Sequence, residues 1–186
     1  MKVSTRAAHA DDKSQVWAFY EAAMRPHIDL IWGWDIAWQL AHFDEAYAVA
    51  ATYIIDVDGV RAGYIQLDLG DTANYLRMLV IAPAFQSRGV GATLLTELLR
   101  VSGGHGRALS LRVFRTNGAA KRFYEREGWY VAEDQGDFIL MNHAQSRAVG
   151  AAVAAADAPA GRDFELSLSI PASAAARQPA PRQLAI

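Results

Sequence analysis

The chain contains no cysteine. A disulfide framework is therefore excluded, as are thiolate metal binding and an acyl-cysteine intermediate. Histidine is sparse. His9, His27, His42, His105 and His143 are scattered without ligand-like spacing, so no structural or catalytic metal site is expected. There is no uncharged apolar run of about 18 residues, the length that would span a bilayer. The first residues, MKVSTRAAHADDKS, lack the apolar core of a secretion signal, which makes the cytoplasm the expected location. A basic surplus is missing too. Eighteen Lys and Arg stand against 20 Asp and Glu, for a net charge of −2, which argues against a nucleic-acid binder.

What is present is an apolar content of 52% in 186 residues, enough for one domain with a true core. Residues 2–7 read as a short edge strand. Asp11 is a candidate cap for a helix carrying Val16, Phe19, Tyr20, Ala23 and Met24 on one face, with Pro26 expected to end it. Asp35 is a candidate cap for a second helix, with Ile36, Leu40 and Phe43 inward. Residues 47–57 and 60–69 read as strands around the Asp58-Gly59 turn. Residues 74–81 form a buried strand stopped by Pro83. A helix over 89–101 is followed by a strand over 108–114, and this strand-helix-strand unit predicts a right-handed parallel crossover. Asn117 is a candidate cap for a helix through Arg126, with Gly128 behind it. Two further strands are expected at 129–132 and 137–141. The fold class expected is α/β (α+β): a mixed, mostly antiparallel central sheet with helices on both faces. From Ala144 to the end the composition turns to alanine with four prolines. The expectation is therefore a domain at 1–143 and a disordered or loosely attached tail at 144–186. In that tail residues 164–170 alternate like an isolated strand and residues 151–156 suit a transient helix.

The chemistry centres on Gln86-Ser87-Arg88-Gly89-Val90-Gly91, between the buried strand and a helix. A helix start carries unpaired N–H groups and a partial positive charge of about half a unit, and glycines let an anion approach the backbone. Position 94 is Leu, which removes the dinucleotide fingerprint G-x-G-x-x-G. No Gly-Lys-Ser/Thr triplet exists, which removes the Walker loop. A glycine turn that only allows close helix packing remains the plain alternative.

The stretch from Leu79 through Pro83 to Ala92, an apolar strand, a proline and then Q-x-x-G-x-G, resembles motif A of the GNAT N-acetyltransferase superfamily. NGAAKRFYEREGW, from Asn117 to Trp129, is similar to that superfamily's asparagine, helix, tyrosine and Gly-Phe/Trp segment. The resemblance extends over roughly residues 2–143. It implies a strand that splays from its neighbour, with backbone groups of Leu79, Val80 and Ile81 pairing with the pantetheine arm of acetyl-CoA. It implies a pyrophosphate held by the loop of Gln86, Ser87, Arg88, Gly89, Val90, Gly91 and Ala92. Asn117 matches a position that contacts the CoA arm, and it also reads as a plain helix cap. Tyr124 matches the usual general acid, and it also reads as a packing residue between helix and sheet. The acid role has chemical sense, because a thiolate with a conjugate pKa of about 8.5 leaves more easily when protonated and a tyrosine, at about 10, can approach that task. Some members place a glutamate on the strand before the loop. Tyr75-Leu76-Arg77-Met78 contains none, so the base stays unassigned, with Asp68 and His27 as candidates.

For the acceptor side, residues 24–43 (MRPHIDLIWGWDIAWQLAHF) combine Trp32, Trp34 and Trp38 with His27, Asp29 and Asp35. Aromatic faces with carboxylates suit a cationic amine, and His27, Trp34 and Asp35 are the candidate acceptor contacts. A hydrophobic cluster, with Trp38 inside it and Asp35 as a cap, is the rival reading. Arg112, Arg115, Lys121 and Arg122 either hold the CoA 3′-phosphate or form a solvated face. The resemblance thus implies an acetyltransferase acting on a small-molecule or peptide amine by direct attack in a ternary complex. It implies acetyl-CoA as co-substrate, with no metal, nucleic acid or membrane partner, and leaves room for a homodimer. A non-catalytic acyl-CoA-binding module on the same scaffold is the alternative.

Overall fold

The computed structural model describes residues 1–146 and 169–170. Sequence expectations for the tail between and beyond those positions lie outside the described residues. In chain order the elements are β1 (Val3–Ala7), α1 (Lys13–Trp32), α2 (Ile36–Val49), β2 (Ala51–Val57), β3 (Val60–Leu69), β4 (Ala73–Ile81), α3 (Val90–Gly104), β5 (Ala108–Phe114), α4 (Gly118–Arg126), β6 (Trp129–Gln135), β7 (Phe138–His143) and a two-residue β8 (Ser169–Ile170). They build one sheet in the order β6-β7-β5-β4-β3-β2-β1-β8. Among the described residues, β4 with β5 is the parallel pair and the other neighbours are antiparallel. β1 is therefore not an outermost strand, because Ser169 and Ile170 pair with Ser4 and Val3 on its free side. Order also continues past residue 143. The Ser146 hydroxyl accepts from the Leu109 N–H at 3.0 Å and donates to the Leu109 carbonyl at 3.2 Å.

Strand side chains alternate between two cores. Tyr53, Ile55, Ile65, Leu67, Leu79 and Ile81 pack with Leu94, Leu95 and Leu98 of α3 and with Tyr124 of α4. Ile54, Tyr64, Met78 and Val80 pack with Val16, Tyr20 and Ile28 of α1 and with Phe43 of α2. Helices thus cover both faces of the sheet. Each fully buried leucine or isoleucine contributes about 1.5–3 kcal/mol of burial free energy, so these two layers dominate the stability of the fold.

Further local expectations are corrected. Pro26 does not end α1, which runs on through it to Trp32 and stops at Gly33, φ 80°. The carbonyl that Pro26 leaves without a donor belongs to Ala22, which is exposed and can meet water, while Met24, Ile28 and Trp32 keep the helix on the sheet. Residues 47–49 complete α2 rather than opening β2. The inward face of α2 is Gln39, Phe43 and Ala46, with Ile36 and Leu40 left 47% and 42% exposed. Apolar residues occur on both sides of this helix, so periodicity does not select a face, and Gln39 turns inward because its Oε1 accepts from the buried Tyr20 hydroxyl at 2.7 Å.

The start of α1 is held by Asp12, not Asp11. Asp12 is 2% exposed, accepts from the His9 N–H at 2.8 Å, and pairs with Arg6 at 2.7 and 2.9 Å and with Arg61 at 3.1 Å. The Arg6 hydrogen bonds, helped by the His9 amide, hold its carboxyl well below the usual range against the opposing effect of burial. A carboxyl with a lowered folded pKa stabilises fully above the unfolded value of about 3.9 and progressively less as pH falls below it. Asp12→Asn is expected to lower unfolding free energy by about 1–3 kcal/mol at pH 7. Urea unfolding at pH 7 and at acid pH should show the variant and the parent chain converging as the solution is acidified.

Candidate active site

The site begins with a fault in the sheet. β4 and β5 pair only over residues 73–76 against 108–111. Beyond that point they part. On its other side β4 carries a bulge: Leu67 faces Leu76 and Gln66 faces Met78, leaving Arg77 as the extra residue. A bulge bends its strand and raises its twist. It also shifts the alternation, so that Leu76 and Leu79, three residues apart, both enter the core beneath α3.

A cavity of about 380 Å³ occupies the gap. Its wall is drawn from both faces of the sheet. Leu111, Val113, Asn117, Ala120 and Tyr124 come from the α3–α4 side, and Tyr20, Met24, Trp32, Trp38, Gln39 and His42 from the α1–α2 side. The cavity therefore passes through the sheet.

The backbone beside the gap is defined by alternation. The Ala82 N–H donates to the Ala62 carbonyl at 2.7 Å, so the N–H and C=O of Ala82 and of Val80 belong to the ladder with β3. Those of Leu79 and Ile81 face the opening. Of the three backbone partners expected for a pantetheine arm, Val80 is thus removed, its groups being already used by β3. The Ile81 carbonyl also accepts from Gln86 Nε2 at 2.7 Å, which makes Gln86 a brace between strand and loop.

After β4 the chain makes a short 3-10 turn, Pro83–Phe85, and enters α3 through the glycine loop. Ser87 at φ 58° and Gly89 at φ 80° lie in the left-handed region. Gly89 is the N-cap of α3 and brings no side chain to it. The first intrahelical bond runs from Thr93 N–H to Gly89 carbonyl at 3.0 Å. The amides of Val90, Gly91 and Ala92 thus point out of the helix start, a set of donors fit for a pyrophosphate. Arg88 lies over the Phe85 ring, 5.8 Å from its centre. The two glycines act differently. A Cβ on Gly89 would meet nothing within 4 Å, so its role is the positive φ. A Cβ on Gly91 would stand 2.9 Å from Phe123 Cζ, so its role is to let α4 approach α3.

Asn117 is buried and caps α4, its Oδ1 accepting from the Ala120 N–H at 3.0 Å. It also lines the cavity, so one side chain both caps the helix and faces the opening. Tyr124 is 3% exposed, lies edge-on to Trp129 with ring centres 5.9 Å apart, and lines the cavity. Burial, and secondarily Tyr75, raise its pKa above the ordinary tyrosine value.

The expected acceptor contacts fare less well. Asp35 caps α2, accepting from Ala37 and Trp38 N–H at 3.0 and 3.1 Å, and is absent from the cavity wall. Trp34 packs against Trp17 and Tyr20 in the α1–α2 core with Arg25 over its ring. The wall instead takes Trp32 and Trp38, the reverse of the expectation, because Gly33 ends α1 and turns the chain between Trp32 and Trp34. His27 stacks on Phe114 and its Nδ1 is 3.1 Å from the Thr116 hydroxyl, behind the wall rather than in it. Asp68 is bound to Arg77 by two bonds of 3.1 and 2.8 Å, away from any base duty. In the basic run, Arg115 pairs with Asp134 and Lys121 with Glu125. Arg112 reaches the cavity, and Arg122 is exposed on α4.

His42 is among the wall residues that the sequence did not single out. His42 stacks on Trp38 with ring centres 4.9 Å apart, one helical turn along α2. The i, i+4 spacing of Trp38 and His42, beside Gln39 and Phe43, was a visible sign of that face.

The model for the acetyltransferase (GNAT) family matches residues 14–129. No curated protein matches the chain. Several solved structures share the fold. The PaiA N-acetyltransferase of Thermoplasma acidophilum, in complex with coenzyme A, is 18% identical over 77% of this chain and 99% of its own, with a TM-score of 0.63. The ribosomal-protein-S18-alanine N-acetyltransferase of Escherichia coli is 18% identical over 76% and 92%, with a TM-score of 0.59. Arabidopsis thaliana Naa50, in complex with the bisubstrate analogue CoA-Ac-MVNAL, is 16% identical over 75% and 95%, with a TM-score of 0.58.

The split between the glycines is testable by unfolding. Gly91→Ala is expected to lose about 1–3 kcal/mol from overpacking, most of it recovered when Phe123→Leu is added. Gly89→Ala is expected to lose about 1–2 kcal/mol from left-handed strain, with no recovery from Phe123→Leu.

Proposed function

The chain belongs to the GNAT acetyltransferase family, and on that premise we propose that it is an N-acetyltransferase that moves an acetyl group from acetyl-CoA to a primary amine of a small molecule or peptide, by direct attack in a ternary complex. The observation that carries this reading is the cavity that crosses the sheet where β4 and β5 part. It lets a donor and an acceptor enter from opposite faces and meet at one point. The coenzyme A in the PaiA crystal and the CoA-linked peptide on Naa50 are consistent with a donor and an amine meeting on this fold.

The residues fit the donor. The first-turn amides of α3 would take the pyrophosphate, the Leu79 and Ile81 backbone groups the pantetheine arm, and Asn117 a polar group of that arm. When bound, acetyl-CoA supplies an acetyl carbon activated as a thioester. The amine nitrogen bonds to that carbon, the carbon–sulfur bond breaks with its electron pair going to sulfur, the nitrogen gives up a proton to the base, and the sulfur leaves as a thiolate that takes its proton from solvent. Positioning the two partners accounts for most of the rate such a site can add.

Tyr124 serves the leaving sulfur. Its raised pKa keeps the hydroxyl protonated and able to donate across the working range. A phenol weaker in acidity than the thiol does not hand over its proton completely, so the contribution is a hydrogen bond to the sulfur as charge develops there. His42 serves the amine. Among the described residues His42 is the histidine in the cavity wall, which makes it the general base assigned to the amine's proton.

Thiol release from acetyl-CoA over a broad amine panel is the test, and binding of acetyl-CoA without turnover of any amine would leave an acyl-CoA-binding module in its place. Tyr124→Phe is expected to lower kcat about 10- to 100-fold with acetyl-CoA affinity kept. His42→Gln is expected to lower kcat/KM about 100-fold at neutral pH, the gap narrowing at alkaline pH where the amine loses its proton unaided. An unchanged pH–rate profile in His42→Gln would remove the base assignment.

A further inference from the structure

The wall of the cavity bears on what the acceptor carries. Among the described residues that line it none is a carboxylate, while two are arginines. Arg77 is occupied by Asp68. Arg112 is held differently. It sits two residues before Phe114 on β5 and so shares the α1–α2 face with it. Its Nε donates to the Tyr75 hydroxyl at 3.0 Å. Its guanidinium carbon lies 5.4 Å from the centre of the Tyr75 ring and 5.5 Å from that of Phe138. Two aromatic faces and one hydrogen bond fix the side chain, so its terminal nitrogens form a prearranged planar fork. Among the described residues no carboxylate makes an ion pair with it. The acidic side chains near this wall are engaged elsewhere: Asp68 by Arg77, Asp137 by the Trp32 indole N–H at 3.1 Å, and Asp29 by the Trp34 N–H at 3.1 Å.

We infer that Arg112 recognises the acceptor, and that the acceptor is a small primary amine that also bears a carboxylate. This rests on the acetyl-transfer reading above and gives it a substrate class. A planar two-oxygen anion matches the guanidinium fork, and bidentate charged contacts of this kind orient as well as bind. The exposed faces of Trp32 and Trp38 and the Phe114–Phe138 stack, with ring centres 4.8 Å apart, provide room for an apolar body between carboxylate and amine. The expectation of carboxylates receiving a cationic acceptor is thereby inverted. The cavity carries positive charge, and the carboxylate belongs to the ligand.

The experiment compares matched acceptors on the full chain, with acetyl-CoA and thiol release as readout. Each protein amino acid with a primary amine is paired with the amine left when its carboxylate is removed, such as phenylalanine with 2-phenylethylamine and tryptophan with tryptamine. The expected result is at least one amino acid whose kcat/KM exceeds that of its partner amine by about tenfold or more. Arg112→Gln should raise the KM for that amino acid by a similar factor, leaving the partner amine and the KM for acetyl-CoA unchanged. Arg112→Lys should restore part of the loss, as charge without the fork. Acetylation confined to amines without a carboxylate, or acids no better than their partners, would overturn the inference while leaving acetyl transfer intact. A rise in the KM for acetyl-CoA in Arg112→Gln would assign the guanidinium to the donor's phosphates and overturn it as well. No thiol release with any amine would defeat the acetyl-transfer reading and this one with it.

Discussion

The separation of β4 from β5 is the constraint on which the rest of this structure depends. A continuous sheet would bury the backbone of Leu79 and Ile81 in a ladder and seal one face from the other. Here the ladder stops at Leu76 and Leu111, and Arg77 bulges on the opposite edge of β4 at the same level. The bulge turns the remaining half of β4 toward β3, with which it stays paired to Ile81. Unpaired backbone polar groups are tolerated beside an opening where water or a ligand can meet them, and are costly inside a closed core. The same opening places Tyr124 and Asn117 within one cavity with Trp38 and His42, although α4 and α2 lie on opposite faces.

The glycine loop divides its work between backbone geometry and packing. Gly89 permits the left-handed turn that leaves the start of α3 without a side-chain cap, and Gln86 ties the loop to the Ile81 carbonyl. Gly91 acts two residues on, where its missing Cβ seats Phe123 and with it the helix that carries Tyr124. The first-turn amides of α3 and the helix that carries Tyr124 are thus linked through the contact of Gly91 with the Phe123 ring.

Charge at the cavity follows from which face each strand residue occupies. Arg112 falls on the α1–α2 side because β5 places Leu111 and Val113 beneath α4. Acidic side chains of the neighbouring segments are consumed by structural duties: capping α2, anchoring Trp32 and bridging Arg77. The result is an aromatic wall with a fixed guanidinium and an imidazole, a surface suited to an anionic group with an apolar body.

Much was legible in the residues themselves. The limits of β3, β5 and α4 follow from local signals: the Asp58-Gly59 turn, the β-branched and leucine-rich run before Arg115, and the Asn117 cap with Gly128 behind it. The order of elements, the loop at a helix start and the family likeness rest on short contiguous stretches, where spacing along the chain is spacing in space. What the sequence left open is whatever depends on partners distant along it. The phase of α2, the passage of α1 through Pro26, the exchange of Trp34 for Trp38 and the arrival of His42 and Arg112 at one cavity were decided only by packing against the sheet. The bulge at Arg77 belongs with them, because one extra residue in a strand is defined by its register against β3 and by nothing in its own neighbours. Sequence alone thus determined the fold and the glycine loop at a helix start, since both are local or periodic, while tertiary structure decided which side chains line the cavity, since they meet only when both faces of a split sheet close around the same gap.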